Sequence, residues 1–295
     1  MSSWLWIILC AGIALACFFV FIMVVDGNRF RVVSYHLKSD KIEKPHRFVL
    51  LADLHNKSYG KNNDRLIAQI KALGAEAVYM AGDMMTAKNG CAYDQAVKLI
   101  RELSREYPLY YSMGNHESRL FLHPEAYGNL WEDYEAKLKE TGVWLLRNQR
   151  RHQGSELAVS GLDMEDRFYR HFRLLPMSGE YLNKILGAPD ADRYQILLAH
   201  NPDYFSSYAD WGADLVLSGH VHGGVMRLPL VGGVISPALR LFPKYDGGVF
   251  REGKTTMVLS RGLGMHTLPV RIFNPGELVL ITLSPEREFV KKEEN

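Results

Sequence analysis

The feature that most constrains the fold is a series of three apolar segments, each followed by polar residues and then by a helical pattern. The segments are residues 48–52, 77–81 and 109–113, and they are followed by Asp53-Leu54-His55, Gly82-Asp83 and Gly114-Asn115-His116-Glu117. Short, continuously apolar segments are typical of strands that are covered on both faces. Three consecutive strand–helix units predict a parallel sheet, and polar groups at the carboxyl ends of its strands gather along one edge.

Two strands in the second half of the chain are expected to reach the same edge. Residues 194–199 form an apolar segment that ends at His200, and residues 213–217 lead into Gly219-His220-Val221-His222-Gly223-Gly224. On an extended backbone His220 and His222 would point to the same side. The neighbouring glycines let the main chain turn close to whatever the two rings hold.

The polar residues at the ends of the predicted strands form one candidate site. They are Asp53, His55, Asp83, Asn115, His116, His200, His220 and His222. Taken singly, each has a structural explanation as a helix cap, a turn residue or a buried histidine. Because all eight fall at strand ends of one sheet, a shared metal-binding role is the favoured interpretation.

These residue types indicate divalent metal ions and phosphoryl chemistry. Imidazole and carboxylate together suit Zn, Mn and Fe. Seven ligands, the whole set except His116, are too many for one tetrahedral ion, but they fit two ions roughly 3.5–4 Å apart that share one carboxylate. Asp83 is our choice for the shared group. Such a pair lowers the pKa of bound water from ~15.7 to about 7 and clamps the oxygens of an in-line phosphoryl displacement. His116 is then free to contact the substrate as the catalytic residue.

In their order along the chain these motifs resemble the calcineurin-like metallophosphoesterase family, over about residues 31–283. The resemblance implies an α/β fold, a four-layer α/β/β/α sandwich of two packed mixed sheets, here preceded by one transmembrane helix. It implies that one metal ion is held by Asp53, His55 and His222, the second by Asn115, His200 and His220, and both by Asp83. By the same resemblance, His116 stabilises charge on the phosphoryl group and protonates the leaving oxygen.

Further motifs are similar to the single-domain, membrane-associated bacterial branch of that family. They are the loop 222–224 that runs into Arg227-Leu228-Pro229, the turn 260–264 and the segment 271–275. One departure is Thr86, which stands three residues after Asp83, where the family often has an aspartate. We expect this departure to alter a hydrogen bond that orients a ligand, while the ligands themselves are unchanged.

The amino-terminal segment, residues 4–25, contains no charged residue and no proline. At about 1.5 Å per residue, a helix of this length covers roughly the ~30 Å hydrocarbon core of a bilayer. A cleaved secretory signal would show a basic start, a shorter apolar core and a small-residue cleavage site. We therefore expect a single-pass anchor in the cell membrane. Because basic residues follow the segment and none precedes it, the positive-inside rule places the catalytic domain in the cytoplasm.

One domain is expected after the anchor, because nothing between residues 47 and 283 resembles a linker. We divide the chain into an anchor at 1–27, a juxtamembrane strand and link at 28–46, a phosphoesterase domain at 47–285 and a charged tail at 286–295. The three cysteines, two of them in the apolar segment, provide neither a disulfide framework nor a thiolate zinc site. A formal net charge of +2 indicates no nucleic-acid surface.

The sequence thus predicts a membrane-anchored, binuclear-metal phosphoesterase in which a hydroxide that bridges the metal ions attacks the ester. A phosphodiester, a phosphomonoester and a lipid-linked pyrophosphate are all open as substrates. The anchor and the apolar segment 228–242, with Arg240 and Lys244 nearby, motivate the lipid-linked option. The alternative is a catalytically silent, metal-binding scaffold of the same fold. Such scaffolds usually lack a ligand or the substrate-facing histidine, and here all are present.

Overall fold

The structure is a computed structural model, and it describes most of the chain. The described residues are 3–169, 175–224, 226–228, 231–235, 241–265 and 270–286. Arg240, with much of the apolar segment predicted at 228–242, lies outside them.

Helices and strands alternate along most of the chain. The helices are α1 (Ser3–Asn28), α2 (Asp64–Ala72), α3 (Asp94–Leu103), α4 (Asn115–Leu122), α5 (Pro124–Tyr127), α6 (Leu130–Lys139), α7 (Gly179–Leu186) and α8 (Phe205–Trp211). The strands are β1 (Phe30–Ser39), β2 (His46–Leu51), β3 (Ala77–Ala81), β4 (Leu109–Ser112), β5 (Trp144–Leu146), β6 (Gln149–Gln153), β7 (Leu157–Leu162), β8 (Tyr194–Ala199), β9 (Leu215–Ser218), β10 (Met226–Leu228), β11 (Gly232–Ile235), β12 (Gly248–Glu252), β13 (Thr255–Leu259) and β14 (Gly276–Pro285).

Within the described ranges, the strands form two six-stranded sheets and a two-stranded ribbon of β10 and β11. The order in the first sheet is β1-β14-β2-β3-β4-β5, and β2 to β5 run parallel, as the three strand–helix units predict. The order in the second sheet is β12-β13-β9-β8-β7-β6, with antiparallel strands at both edges. Both sheets are therefore mixed.

Alternation along the buried strands explains why their sequences are apolar throughout. On β2, Val49 and Leu51 pack against α2 and α3, while Phe48 and Leu50 pack against the second sheet. A third apolar cluster lies between the second sheet and the helices α7 and α8. The layers are therefore helices, sheet, sheet and helices, which confirms the expected α/β/β/α sandwich.

Three elements differ from the sequence-based expectation. The strand expected at 30–35 continues to Ser39 and pairs with β14 along its whole length, so this part of the expected link is an edge strand of the first sheet. The sequence of residues 124–141 predicts a single helix, whereas the structure divides it into α5 and α6, because Gly128 has φ 61° and ψ −142°. Strand β6 carries no apolar alternation and is mostly exposed, since it lies at the edge of the second sheet. The division of the chain into domains stays a prediction.

Helix α1 is long and apolar enough to cross a membrane, with a mean hydropathy of 3.0 over its most apolar window. A signal sequence near the amino terminus meets the same criteria, and none of that window is buried against the rest of the protein. The helix is buried at its end, at Asp26 and Gly27.

The buried carboxylate of Asp26 ties the end of α1 to the globular part. It accepts hydrogen bonds from the Arg29 guanidinium (2.9 and 2.7 Å) and from the backbone N–H of Asn274 (2.9 Å). In a chain that begins at Val24, we expect Asp26→Ala to lower the free energy of unfolding by about 1–3 kcal/mol, because a buried N–H loses its acceptor. Urea unfolding measures the change. The control, Arg29→Ala, removes the exposed partner and should have the smaller effect; equal effects would contradict this explanation.

Candidate metal centre

All eight residues predicted from strand ends lie in one cluster at the edge where the two sheets meet. Asp53 and His55 follow β2, Asp83 follows β3, Asn115 and His116 begin α4, His200 follows β8, and His220 and His222 follow β9. Their side chains come within a few ångströms of one another, as the distances below show. Both sheets therefore contribute to the cluster.

Five of the seven expected ligands have a left-handed backbone conformation. They are Asp53 (φ 51°), His55 (φ 49°), Asp83 (φ 54°), His220 (φ 77°) and His222 (φ 52°). Residues other than glycine adopt this conformation rarely, and it is concentrated at functional sites. The extended backbone expected for His220 and His222 is wrong, because β9 ends at Ser218 and both rings are presented by a turn.

The first group of possible ligands is Asp53, His55 and His222, all buried. His222 Nε2 lies 3.4 Å from Asp53 Oδ1 and 3.2 Å from His55 Nε2. The backbone N–H of His220 donates to both oxygens of Asp53 (2.9 and 3.1 Å), so this carboxylate is held in place from the second sheet.

The second group consists of Asp83, His200 and His220, with Asn115 beside them. His200 Nε2 lies 3.0 Å from Asp83 Oδ2, and His220 Nδ1 lies 2.8 Å from Asn115 Oδ1. The same Oδ2 atom of Asp83 is 3.9 Å from His55 Nε2, a member of the first group. Asp83 therefore lies between the two groups, and Asp53 Oδ1, 3.8 Å from His200 Nε2, borders the second group from within the first.

Hydrogen bonds at Nδ1 distinguish two of the histidines. His200 Nδ1 is 2.6 Å from the carbonyl oxygen of Ala81, so this nitrogen carries a proton, and in the neutral ring Nε2 would offer the lone pair. That Nε2 atom is buried and faces Asp83 Oδ2 at 3.0 Å. His116 Nδ1 instead accepts a hydrogen bond from the backbone N–H of Ala87 (2.9 Å), so the proton of the neutral ring is on Nε2. The Nε2 atom of His116 lies 4.0 Å from Asp83 Oδ2. Because this nitrogen carries the proton, the ring is better suited to donate a hydrogen bond than to bind a metal ion.

The electrostatics of the cluster favour bound positive charge. Burial raises the pKa of Asp53 to about 7, while His200 opposes this shift. Burial also acts to raise the pKa of Asp83, but His200 and His116 outweigh it and hold that pKa well below its usual range. Burial lowers the pKa of His200, yet the carboxylate of Asp83 raises it to about 10. Without a cation, a proton on His200 Nε2 balances part of the carboxylate charge, and a metal ion would replace that proton.

Comparison with known proteins agrees with this geometry. The model of the calcineurin-like phosphoesterase family matches residues 46–224, which include the eight clustered residues. The chain belongs to the calcineurin-like phosphoesterase family. It is therefore a metal-dependent phosphoric ester hydrolase, as the motifs predict.

Relatives within the calcineurin-like phosphoesterase family match most of the chain at low identity. The metallophosphoesterase YkuE of Bacillus subtilis is 27% identical over 88% of this chain and 87% of its own length. The phosphodiesterase YaeI of Escherichia coli is 26% identical over 86% of this chain and 88% of its own length. The metallophosphoesterase Cj0846 of Campylobacter jejuni is 27% identical over 87% of this chain, which spans only 64% of that relative.

The three finer motifs of this calcineurin-like chain meet behind the cluster. The guanidinium of Arg271 donates to the carbonyl oxygens of Arg261, Gly262, Gly264 and Asn274. Asn274 Nδ2 donates to the carbonyl oxygens of His222 and Gly224, both at 2.7 Å. The segment 271–275 therefore supports both the turn 260–264 and the loop that carries His222.

Thr86, which stands where the family often has an aspartate, makes a hydrogen bond to a ligand ring. Its Oγ1 is 3.1 Å from His55 Nδ1, so the hydroxyl orients the ring where the family often has a carboxylate. A hydroxyl is a weaker partner than a carboxylate for a ring N–H. The ring of His55 is therefore held in place, but by a neutral group.

Glycine allows the close approach of β9 to the first ligand group. A Cβ atom on Gly219 would lie 2.4 Å from Asp53 Oδ2 and 2.8 Å from the Cβ of Ala52. No side chain fits in this space without moving the carboxylate. The glycine before His220 is thus required by packing against Asp53.

Sequence reasoning assigned no role to Glu117, which is fully buried beneath the cluster. Its carboxylate accepts hydrogen bonds from the backbone N–H groups of Asp83 (2.9 Å), Met84 (2.8 Å) and Gly114 (3.0 Å) and from the hydroxyl of Tyr111 (2.5 Å). Burial raises its pKa to about 7, but each neighbour is a donor, so the carboxylate is the form that they satisfy. The available signal was a Glu at the third position of a helix that begins after Gly114, where it caps the helix.

We expect Glu117→Gln to lower the free energy of unfolding by about 2–4 kcal/mol, because the amide NH₂ would face backbone donors. Chemical denaturation of purified protein measures this loss. The control is Glu140→Gln, which removes an exposed carboxylate directly after α6 and should leave stability unchanged. Equal stability of the two variants would show that the Glu117 carboxylate does not organise the loops after β3 and β4.

Proposed function

We propose that the protein is a membrane-anchored phosphoesterase with a binuclear metal centre. The expected ligands are Asp53, His55, Asp83, Asn115, His200, His220 and His222, and His116 is the catalytic residue. The observation that carries the proposal is the position of Asp83 Oδ2, which lies 3.0 Å from a ring of one buried group and 3.9 Å from a ring of the other. One carboxylate can thus serve both groups.

The donor set suits two borderline divalent ions such as Mn, Fe or Zn, because it combines carboxylate, amide and imidazole. Two observations support this fit. His200 Nε2 is buried 3.0 Å from Asp83 Oδ2, and because Nδ1 holds a proton against Ala81, Nε2 is the atom that can exchange its proton for a cation. The Nε2 atoms of His55 and His222 face each other at 3.2 Å, and in neutral rings this contact needs a proton or a cation between them.

Two divalent ions in this set would activate water at neutral pH and neutralise charge on the phosphoryl oxygens. The protein's own contribution is to hold its groups still. Asp53 is fixed by the N–H of His220, and the Oδ1 atom of Asp83 is fixed by the N–H of His116 (2.9 Å). His116 Nε2–H is directed into the cluster, where it can donate a hydrogen bond to a phosphoryl oxygen or to the leaving oxygen as charge develops there.

The experiment that tests this function uses the full chain in detergent, loaded in turn with Mn²⁺, Fe²⁺ and Zn²⁺. We expect turnover of at least one of bis(p-nitrophenyl) phosphate, p-nitrophenyl phosphate and a nucleotide pyrophosphate. The metal content is measured on the same samples. Stoichiometric metal without turnover of any of the three would favour the silent scaffold, while an absence of bound metal would contradict the proposed centre itself.

Membrane anchoring by α1 and a cytoplasmic position of the enzyme are also part of the proposal. The length and hydropathy of α1 support the first, and the basic residues that follow it support the second. Cys91 lies in the globular part and is partly exposed. In intact cells it should resist a membrane-impermeant maleimide and react after permeabilisation. Labelling of intact cells would reverse the orientation without affecting the enzymatic assignment.

A further inference from the structure

The globular part lies directly against α1. The helix ends at Asn28 and β1 begins at Phe30. Besides the contacts of Asp26, the ammonium group of Lys57 donates to the carbonyl oxygen of Gly27. Whatever surrounds the last turns of α1 therefore also meets the adjoining surface of the globular part.

One exposed aromatic residue of the globular part reaches along the apolar helix. The ring of Phe273 lies 6.4 Å from the ring of Phe18, centroid to centroid. Phe18 precedes Asp26 by eight residues, which corresponds to about 12 Å along the helix axis. A Phe273 side chain that is 40% exposed thus lies beside the apolar length of α1, beyond its polar end.

Four more exposed apolar side chains lie in segments that are linked to the segment of Phe273. Together with it they form the apolar rim, which consists of Leu228, Val231, Leu241, Phe242 and Phe273. The backbone N–H of Arg227 on β10 donates to the carbonyl oxygen of Ile272, and Phe242 N–H donates to the carbonyl oxygen of Val234 on β11. The β10–β11 ribbon is therefore joined to residues 272–273 by main-chain hydrogen bonds.

Both phenylalanines of the rim combine an exposed side chain with a strained backbone conformation. Phe242 has φ 49° and Phe273 has φ 53°. This conformation is unfavourable for a bulky side chain, and it persists where the surrounding structure requires it. In water, no favourable free energy offsets the cost of this conformation. Transfer of the two rings from water into an apolar environment would offset it.

The rim is also connected to the metal centre. Strand β10 begins two residues after Gly224, and Asn274, the neighbour of Phe273, holds the carbonyl oxygens of His222 and Gly224. Two exposed cationic side chains adjoin the rim: Arg29, which pairs with Asp26 beside Asn274, and Lys244, which follows Phe242 by two residues. Cations beside apolar side chains suit the anionic headgroup region of a membrane.

We propose that the apolar rim is a bilayer-contacting surface, immersed in the headgroup–acyl boundary of the membrane that α1 spans. This inference rests on the proposed anchoring of α1. The occupant is the bilayer itself, because the rim is continuous with the apolar length of the helix. As a result, the loop that carries His222 lies close to the level of lipid phosphates, and the centre is accessible to phosphoesters borne by lipids.

Site-directed spin labelling of the full chain tests the proposal in vesicles of phosphatidylcholine and phosphatidylglycerol. In a background with Cys10, Cys17 and Cys91 replaced by serine, a nitroxide is attached through Leu228→Cys or Leu241→Cys. Collisions with oxygen report lipid, and collisions with a water-soluble nickel chelate report water. We expect the oxygen-to-nickel ratio at both positions to be severalfold higher than at the control, Lys139→Cys, whose side chain on α6 is 72% exposed.

A label on native Cys17, with the other two cysteines replaced, separates the two levels of the proposal. A lipid signal at Cys17 with an aqueous signal at both rim positions would overturn the bilayer-contacting surface and leave the anchor intact. Low access of both reagents to the rim would overturn the bilayer-contacting surface, because it would show that another protein or a second copy of this chain covers the rim. An aqueous signal at Cys17 would overturn the anchor, and with it the rim, without bearing on the phosphoesterase activity.

Discussion

Asp83→Asn is expected to lower the rate of phosphoester hydrolysis by at least about a thousandfold. The reason is geometric and electrostatic. Asp83 Oδ2 lies near rings of both groups, at 3.0 Å from His200 and 3.9 Å from His55. Asp53 Oδ1 also lies near both, at 3.4 Å from His222 and 3.8 Å from His200, but both oxygens of Asp53 accept hydrogen bonds from a backbone N–H. An amide has no charge to balance a second cation. Steady-state kinetics and metal analysis of the purified variant measure both consequences.

The metal content of Asp83→Asn is as informative as its rate. We expect the variant to lose at least one of its two ions, because Asp83 is the group that both would share. The matched control is Asp214→Asn, since Asp214 precedes β9 at the opposite end of the sandwich and pairs with Lys41. A variant of Asp83 with full metal content and full rate would contradict the shared-carboxylate arrangement.

His116→Ala is expected to behave differently, with metal retained and the rate lowered by about 10²–10⁴-fold. The backbone N–H of Ala87 occupies Nδ1 of this ring, so its remaining proton is on Nε2 and no lone pair of the neutral ring faces the cluster. Removal of the ring should therefore cost the reaction a donor without costing the centre a ligand.

The leaving group distinguishes two roles for His116. If the Nε2–H group hydrogen-bonds the leaving oxygen as charge develops on it, the loss in His116→Ala should be larger for an alkyl ester than for a p-nitrophenyl ester, whose leaving group carries that charge unaided. An equal loss for both esters would indicate that the ring mainly stabilises charge on the phosphoryl group. An unchanged rate with either ester would remove His116 from the catalytic machinery.

The sequence predicts the position of the cluster well, because its residues follow buried strands. Asp53, Asp83 and His200 come directly after apolar segments whose strand character is not in doubt, and the carboxyl ends of parallel strands meet at one edge. The packing of two sheets could not be read from the pattern, since a strand covered by a helix and one covered by a sheet are equally apolar. That part of the fold came from the resemblance.

Features that depend on tertiary contacts escape the sequence. The turn that presents His220 and His222 has positive φ angles because it is held by Asp53 and Asn274, and no local pattern encodes those partners. Strand β6 is polar since one edge of a sheet needs no buried face. Glu117 belongs to a motif that was identified, yet its carboxylate serves the backbone of loops far from it in sequence.

The two sheets contribute different parts of the cluster: Asp53, His55, Asp83 and Asn115 come from the first, and His200, His220 and His222 from the second. Ions bound by this set would cross-link the halves of the sandwich. Neither half could then unfold alone while the ions stay in place, so the metal-loaded protein should lose its structure in a single cooperative transition. At a hundredfold excess of metal over its dissociation constant, each ion would add about 2.7 kcal/mol to that transition. Metal supply would thus govern the lifetime of the protein as well as its chemistry.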